Sequence, residues 1–243
     1  DVTGVQTCAL PIYLERIKPL LEDAFHAVWA GKAESDGFNR LVVAASMPWR
    51  DVVILRAVAK FLRQAGVNYS QTYTETALSK NPDIAALLVE LFRTLHDGSQ
   101  PLSGEVRAHN AERVRSRIEA ALNDVPSADD DRILRMFAAV IGAVLRTDFF
   151  QPGPDGMDKP GVAFKLDSRK LDFLPLPKPL CEIFVYARDF EGVHLRFGKV
   201  ARGGIRWSDR AEDFRTEILS LVKAQQVKNA VIVPVRSEEH TSE

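Results

Sequence analysis

Apolar residues recur three and four positions apart through the front of the chain, then at every second position further on. The change of period divides the chain. Ile84, Leu87, Leu88, Leu91, Phe92 and Leu95 keep helical spacing, with Pro82 in a first turn that tolerates it and Gly98 as a stop. Val52, Leu55, Val58, Ala59 and Leu62 form a second stripe, ended by Gly66. Ile133, Phe137, Val140, Ile141, Val144 and Leu145 form a third. Asp129, Asp130 and Asp131 stand at its start, where negative charge suits the helix dipole. Leu14, Ile17, Leu21, Phe25 and Val28 predict a first helix that Pro19 strains. Gly104–Leu122 is polar and arginine-rich, so an exposed helix is expected there. Five or six helices with one-sided stripes predict packing against one another.

Gln151–Gly161, QPGPDGMDKPG, carries the composition of a loop or linker. Beyond it Val162, Phe164 and Leu166 alternate, LPLPKP is extended, and Ile183, Val185 and Val193, Leu195, Phe197 predict two strands around a turn at Asp189–Gly192. A helix over Asp209–Val227 places Phe214, Ile218, Leu221 and Val222 on one face. Ala230–Val235, AVIVPV, is apolar without alternation, as in a strand covered on both sides. The expected class is mixed: an all-α helical domain over 13–150, a linker over 151–161, and the first part of an α/β domain over 162–235.

Composition narrows this picture only slightly. The length accommodates one large domain or two small ones. Charge is balanced at 32 basic and 33 acidic residues, so neither nucleic acid nor an anionic membrane is the expected partner. No apolar run approaches the roughly 20 residues of a membrane helix. Cys8 and Cys181 are the two cysteines, and Cys181 is alone outside the N-terminal twelve residues, which fits a reducing cytoplasm. His26, His96 and His109 have no metal-ligand spacing, and the front half shows no catalytic constellation.

The two ends have a different origin in this reading. DVTGVQTCALPI (1–12) and RSEEHTSE (236–243) back-translate onto opposite strands of one DNA duplex. Unrelated protein termini have no reason to do so. We read both as translated sequencing adapter, with Tyr13–Val235 as the genuine segment, and expect neither end to hold stable structure.

Candidate chemistry concentrates between Lys199 and Val235. Gly203 and Gly204 lie between Arg202 and Arg206. Paired glycines let a backbone approach a ligand closely, and arginine forks match a carboxylate. A hairpin turn with two solvated arginines accounts for the same residues, and the turn alone favours that plainer reading. Lys228, just before the apolar strand, is either a solvated helix-end lysine or a carboxylate contact.

ARGGIRWSDR, EDFRTE and KAQQVKNAVIVPV together resemble the start of the catalytic region of the large bacterial NAD-specific glutamate dehydrogenases. EIFVYARDFEGVHLRFGKV, DGFNRLVVAA and WRDVVILRAVAKFLRQAG are similar to the same family, so the likeness covers nearly all of 13–235. It implies that the α/β part is the truncated start of a glutamate-dehydrogenase-like substrate domain. It implies the reaction of L-glutamate, NAD⁺ and water to 2-oxoglutarate, ammonium and NADH, in a cytoplasmic homo-oligomer. Arg202 stands where the wider family has a lysine that contacts the side-chain carboxylate, and Lys228 resembles the lysine that binds the α-carboxylate. Arg202, Gly203, Gly204, Arg206 and Lys228 are therefore the expected substrate-binding residues. The family's catalytic lysine and aspartate and its NAD-binding domain come after Val235, so this chain alone is expected to be inactive and not to bind NAD. A helical regulatory or oligomerisation module without catalysis remains the alternative.

Overall fold

A computed structural model describes the backbone of residues 9–99, 101–159, 161–198, 208 and 213–229, and the side chains of those between 14 and 224. Helix α1 (Ala9–Trp29) is followed by the short α2 (Arg40–Ala44), then α3 (Trp49–Gln64), α4 (Gln71–Lys80), α5 (Pro82–His96), α6 (Gly104–Leu122) and α7 (Ala128–Ala143). The chain then enters strands β1 (Val144–Thr147), β2 (Val162–Leu166), β3 (Cys181–Ala187) and β4 (Phe190–Arg196), and ends its described part in α8 (Phe214–Asn229). The four strands form one antiparallel sheet in chain order.

Helix α3 is the axis of the molecule. Val52 to Val58, Phe61 and Leu62 are all buried, Arg56 included. A one-sided stripe was expected from the sequence; the helix is instead covered all round, by other helices and by β2 and β3. It stops at Ala65, and Gly66 follows at φ 84°, a left-handed position that glycine adopts without a Cβ clash. Helix α5 behaves as its period predicts, with Pro82 in the first turn and Ile84, Leu88, Leu91 and Phe92 buried. The Phe92 ring meets Phe149, Phe150 and Phe164 at centroid distances of 5.7, 6.0 and 5.5 Å, which joins α5 to the sheet. Phe61 of α3 meets Phe184 of β3 at 5.6 Å, edge to face. One apolar cluster thus runs from Ala24 to Tyr186 and takes residues from both sides of the 151–161 loop.

Several elements differ from the sequence reading. Helix α7 ends at Ala143, so Val144 and Leu145 start β1 rather than extend the helical stripe. Val144 pairs with Leu166 of β2, and a sheet partner outweighs a further half turn of helix. Helix α4 has no apolar period and was not expected. Ser70 caps it by accepting the Tyr73 amide at 3.1 Å, and only Ala77 and Leu78 are buried apolar residues in it. The turn between β3 and β4 is tighter than Asp189–Gly192, since β4 already begins at Phe190. The buried face of β3 carries Glu182, Phe184 and Tyr186, while Ile183 and Val185 are half-exposed. Among the described side chains of α8, Arg215 and Leu219 are buried and Leu221 is exposed. Helix α1 starts at Ala9 and continues through Pro19, so its backbone reaches into the 1–12 segment for which no structure was expected. Leu14, Leu21 and Phe25 of its predicted stripe are exposed, and Ile17, Ala24 and Ala27 are the packed residues. The expected strand 230–235 and the C-terminal eight residues lie outside the described residues.

Candidate functional site

The predicted glycine turn with its arginines, Arg202, Gly203, Gly204 and Arg206, lies outside the described residues. Lys228 lies in the last turn of α8, with its side chain outside them. The described elements on either side of these positions in the chain are strand β4 and helix α8, which carries Lys228. Arg196 at the end of β4 donates from Nε to the Gly198 carbonyl at 2.9 Å.

The start of α8 is anchored by charge. Arg215 Nε donates to Glu182 Oε2 at 2.9 Å, and Nη2 lies 2.8 Å from the same oxygen. Both side chains are 1% exposed. Glu182 sits on the core face of β3, opposite Leu166 of β2 and Leu195 of β4, both buried. Burial pushes its carboxyl above the usual carboxylate range, and the Arg215 guanidinium works against that rise. The Arg215 amide donates to Gln64 Oε1 of α3 at 3.3 Å, which satisfies a first-turn N–H of α8.

A row of polar residues on α3 continues the anchor. Arg56, Lys60 and Gln64 are spaced four apart, so they line one side of the helix. Gln64 Nε2 donates to Glu191 of β4 at 3.5 Å, and Lys60 and Arg63 lie 3.9 and 3.8 Å from the same carboxylate. Lys60 also pairs with Glu34 at 3.4 Å, and Glu34 accepts the Tyr186 hydroxyl at 2.8 Å. Arg56 forks onto Asp36 with two contacts of 2.7 Å and reaches Asn39 at 3.0 Å. Burial works against the Arg56 charge, but the Asp36 fork more than offsets it and holds its pKa above the ordinary arginine value. Burial likewise raises the Glu191 carboxyl and the Tyr186 phenol. The network therefore links α3, the sheet and α8 through fixed charges.

Sequence reasoning found neither Glu182 nor Arg215. Both carry the same signal: a charged residue at the core-facing phase of its element, in step with Phe184 and Tyr186 on β3 and with Leu219 on α8. A second cluster is less informative. A cleft of about 450 Å³ between α5 and α6 is lined by Arg93, Arg107, Arg113 and Arg117. Three of these are already engaged by the chain itself: Arg93 on Asp51, Arg117 on Glu90 at the surface, and Arg107 on the Thr94 and Asp97 carbonyls. Among the described residues no group of three His, Cys, Asp or Glu side chains is placed to hold a metal ion. No described helix is long and apolar enough to cross a membrane.

The frame can be compared with known proteins. Residues 117–239 match the family model for the catalytic domain of bacterial NAD-glutamate dehydrogenase, and 33–97 match helical motif 3 of glutamate dehydrogenase. The first match begins within α6, takes in α7, all four strands and α8, and continues past Val235 to 239. The chain is 48% identical over 226 residues to the NAD-specific glutamate dehydrogenase of Pseudomonas aeruginosa, covering 93% of this chain and 14% of that protein. It is 48% identical over 223 residues to the enzyme of the same name in Halomonas elongata, covering 91% and 14%. With that of Mycobacterium tuberculosis it shares 50% over 215 residues, covering 88% and 13%. The chain thus spans about a seventh of the length of these relatives. Since the catalytic-domain match takes in 117–239, half of the chain, and the helical-motif match adds 33–97, the chain belongs to the bacterial NAD-glutamate dehydrogenase family.

Proposed function

We propose that this chain forms part of the glutamate-binding side of an NAD-dependent glutamate dehydrogenase, which converts L-glutamate, NAD⁺ and water to 2-oxoglutarate, ammonium and NADH. The family match over 117–239 carries this reading, because it takes in both the Arg202–Arg206 turn and Lys228. Lys228 takes the α-carboxylate, and Arg202 takes the side-chain carboxylate. Gly203 and Gly204 let the turn backbone close on the substrate, and Arg206 holds the turn. Two anchored carboxylates fix the α-carbon, so that its hydride faces one direction only. NAD supplies the hydride acceptor when bound. The chain contains no Gly-x-Gly-x-x-Gly run, and we assign the cofactor no contact on these residues.

In this reading residues 162–235 begin the substrate domain, 13–150 form its helical support, and 151–161 connect them. The intact protein is placed in the cytoplasm as a homo-oligomer, in keeping with the lone Cys181 of the described chain. The exposed apolar stripe of α1 favours an added role of the helical half in self-association. Phe25 and Trp29 are 62% and 82% exposed, and their rings stack at 6.2 Å.

The test of the main reading is absorbance of NADH at 340 nm, with the long protein that contains this chain, NAD⁺ and L-glutamate. Glutamate-dependent NADH formation, with 2-oxoglutarate and ammonium in equal amounts, is expected. NAD⁺ reduction that does not depend on glutamate would contradict it.

A further inference from the structure

We propose that the buried Arg215–Glu182 pair, together with Gln64, is a positioning device that fixes the axial place of α8 and through it the place of Lys228. The proposal rests on the substrate-binding reading of Lys228 given above.

Burial alone does not explain the pair. Both side chains are 1% exposed, and Glu182 stands between Leu166 and Leu195, where an apolar residue would pack. Taking two charges out of water costs several kcal/mol per ion, and apolar residues of similar size often give equal or greater stability. What a charged pair adds is direction. Arg215 Nε donates a hydrogen bond to Glu182 Oε2, with Nη2 held beside the same oxygen by charge, while the amide of the same residue reaches Gln64 Oε1. The guanidinium contact ties α8 to β3, and the amide contact ties it to α3. A slip of one residue moves the helix about 1.5 Å and turns it about 100°. Both contacts would then be lost. Apolar side chains at these positions would hold the helix face, but their non-directional contacts would resist a small axial shift or tilt less.

The consequence reaches the far end of the helix. Lys228 lies thirteen residues beyond Arg215 in α8, about 20 Å along the axis. Over that length a tilt of about 5° displaces the last turn by about 2 Å, and misplacement of about 1 Å can cost on the order of a hundredfold in rate. Gln64 lies within the helical-motif match and Glu182 and Arg215 within the catalytic-domain match. The helical motif is in this way the surface against which the substrate helix is registered.

The experiment compares Glu182→Met/Arg215→Met, Arg215→Lys and Gln64→Leu with the wild type in the long protein. The double variant keeps volume and removes both buried charges, so its melting temperature should equal or exceed that of the wild type. Its KM for glutamate should nevertheless rise about tenfold, with the KM for NAD⁺ unchanged, and Arg215→Lys should recover part of the loss. Gln64→Leu buries no charge and should raise the glutamate KM about threefold. A second readout needs no activity: amide hydrogen exchange of α8 in the long protein should quicken in the double variant and in Gln64→Leu. A stable double variant with the wild-type glutamate KM, or α8 exchange unchanged in both variants, would overturn the proposal. A wild type that forms no NADH from glutamate would instead refute the dehydrogenase reading, and the exchange measurement would still decide the role of the pair.

Discussion

At the scale of single residues, the fold depends on charges held where water does not reach. Arg56 is fully buried and its charge is met by Asp36 through two contacts of 2.7 Å. Removing one partner leaves the other charge uncompensated in the interior. Asp36→Asn should therefore lower unfolding free energy in urea by about 3–5 kcal/mol, far above the effect of an exposed pair. His96 makes a separate case. Burial, and then the nearby Arg107, push its pKa down to about 4, and its Nε2 has no hydrogen-bond partner. The folded state thus resists a proton that the unfolded chain accepts from its ordinary value of 6.5 downwards. The stability tied to neutral His96 is complete above pH 6.5 and is lost as pH falls to about 4. His96→Leu should flatten the stability-pH curve across that window by about 1–2 kcal/mol relative to wild type, discounting for partial exposure. Denaturation midpoints of both proteins at several pH values measure the difference. None of these residues was singled out in the sequence as a pair or as a titrating site. Asp36 and Arg56 are twenty positions apart, and only folding shows that they meet.

At the scale of elements, periodicity was a good guide where the apolar stripe was continuous. Helices α3 and α5 lie where their spacing and stops place them, and β2 follows the alternation of Val162, Phe164 and Leu166. Helix α6 occupies the polar, arginine-rich segment expected to be an exposed helix, but it buries Ala111, Val114, Ile118 and Leu122. The misses have separate physical causes. Helix α4 depends on its Ser70 cap more than on any stripe, so Ser70→Ala should cost about 1 kcal/mol in thermal or urea unfolding. A change within 0.2 kcal/mol would show that packing of Leu78 alone holds that helix. Val144 and Leu145 kept the helical period but were captured by β2, a contact that no local pattern reveals. On β3 the apolar alternation of Ile183 and Val185 marks the outer face, because the core face holds a charged residue that pattern reading discounts. The same charge makes the Glu182 position informative once α8 is seen beside it.

At the scale of the whole molecule, the helical and sheet parts share one core, and the polar row of α3 reaches across to α8. The family was legible in the sequence from ARGGIRWSDR and KAQQVKNAVIVPV, and the match to bacterial NAD-glutamate dehydrogenases agrees with it. The contact between Gln64 and Arg215 was not legible, since the two lie in separate family-like segments, WRDVVILRAVAKFLRQAG and EDFRTE, and nothing local says that these meet. Within the proposed site, Lys228 and Arg206 should differ. Arg206→Ala should lower melting temperature and turnover with little specific change in glutamate affinity, as expected of a residue that holds a turn. Lys228 is the sharper test of the account. Its loss removes a charge-assisted contact of roughly 1.5–3 kcal/mol, so steady-state kinetics of Lys228→Ala in the long protein should show a glutamate KM raised roughly ten- to a hundredfold. A glutamate KM equal to that of the wild type would contradict the carboxylate role and leave Lys228 a solvated residue at the end of a helix.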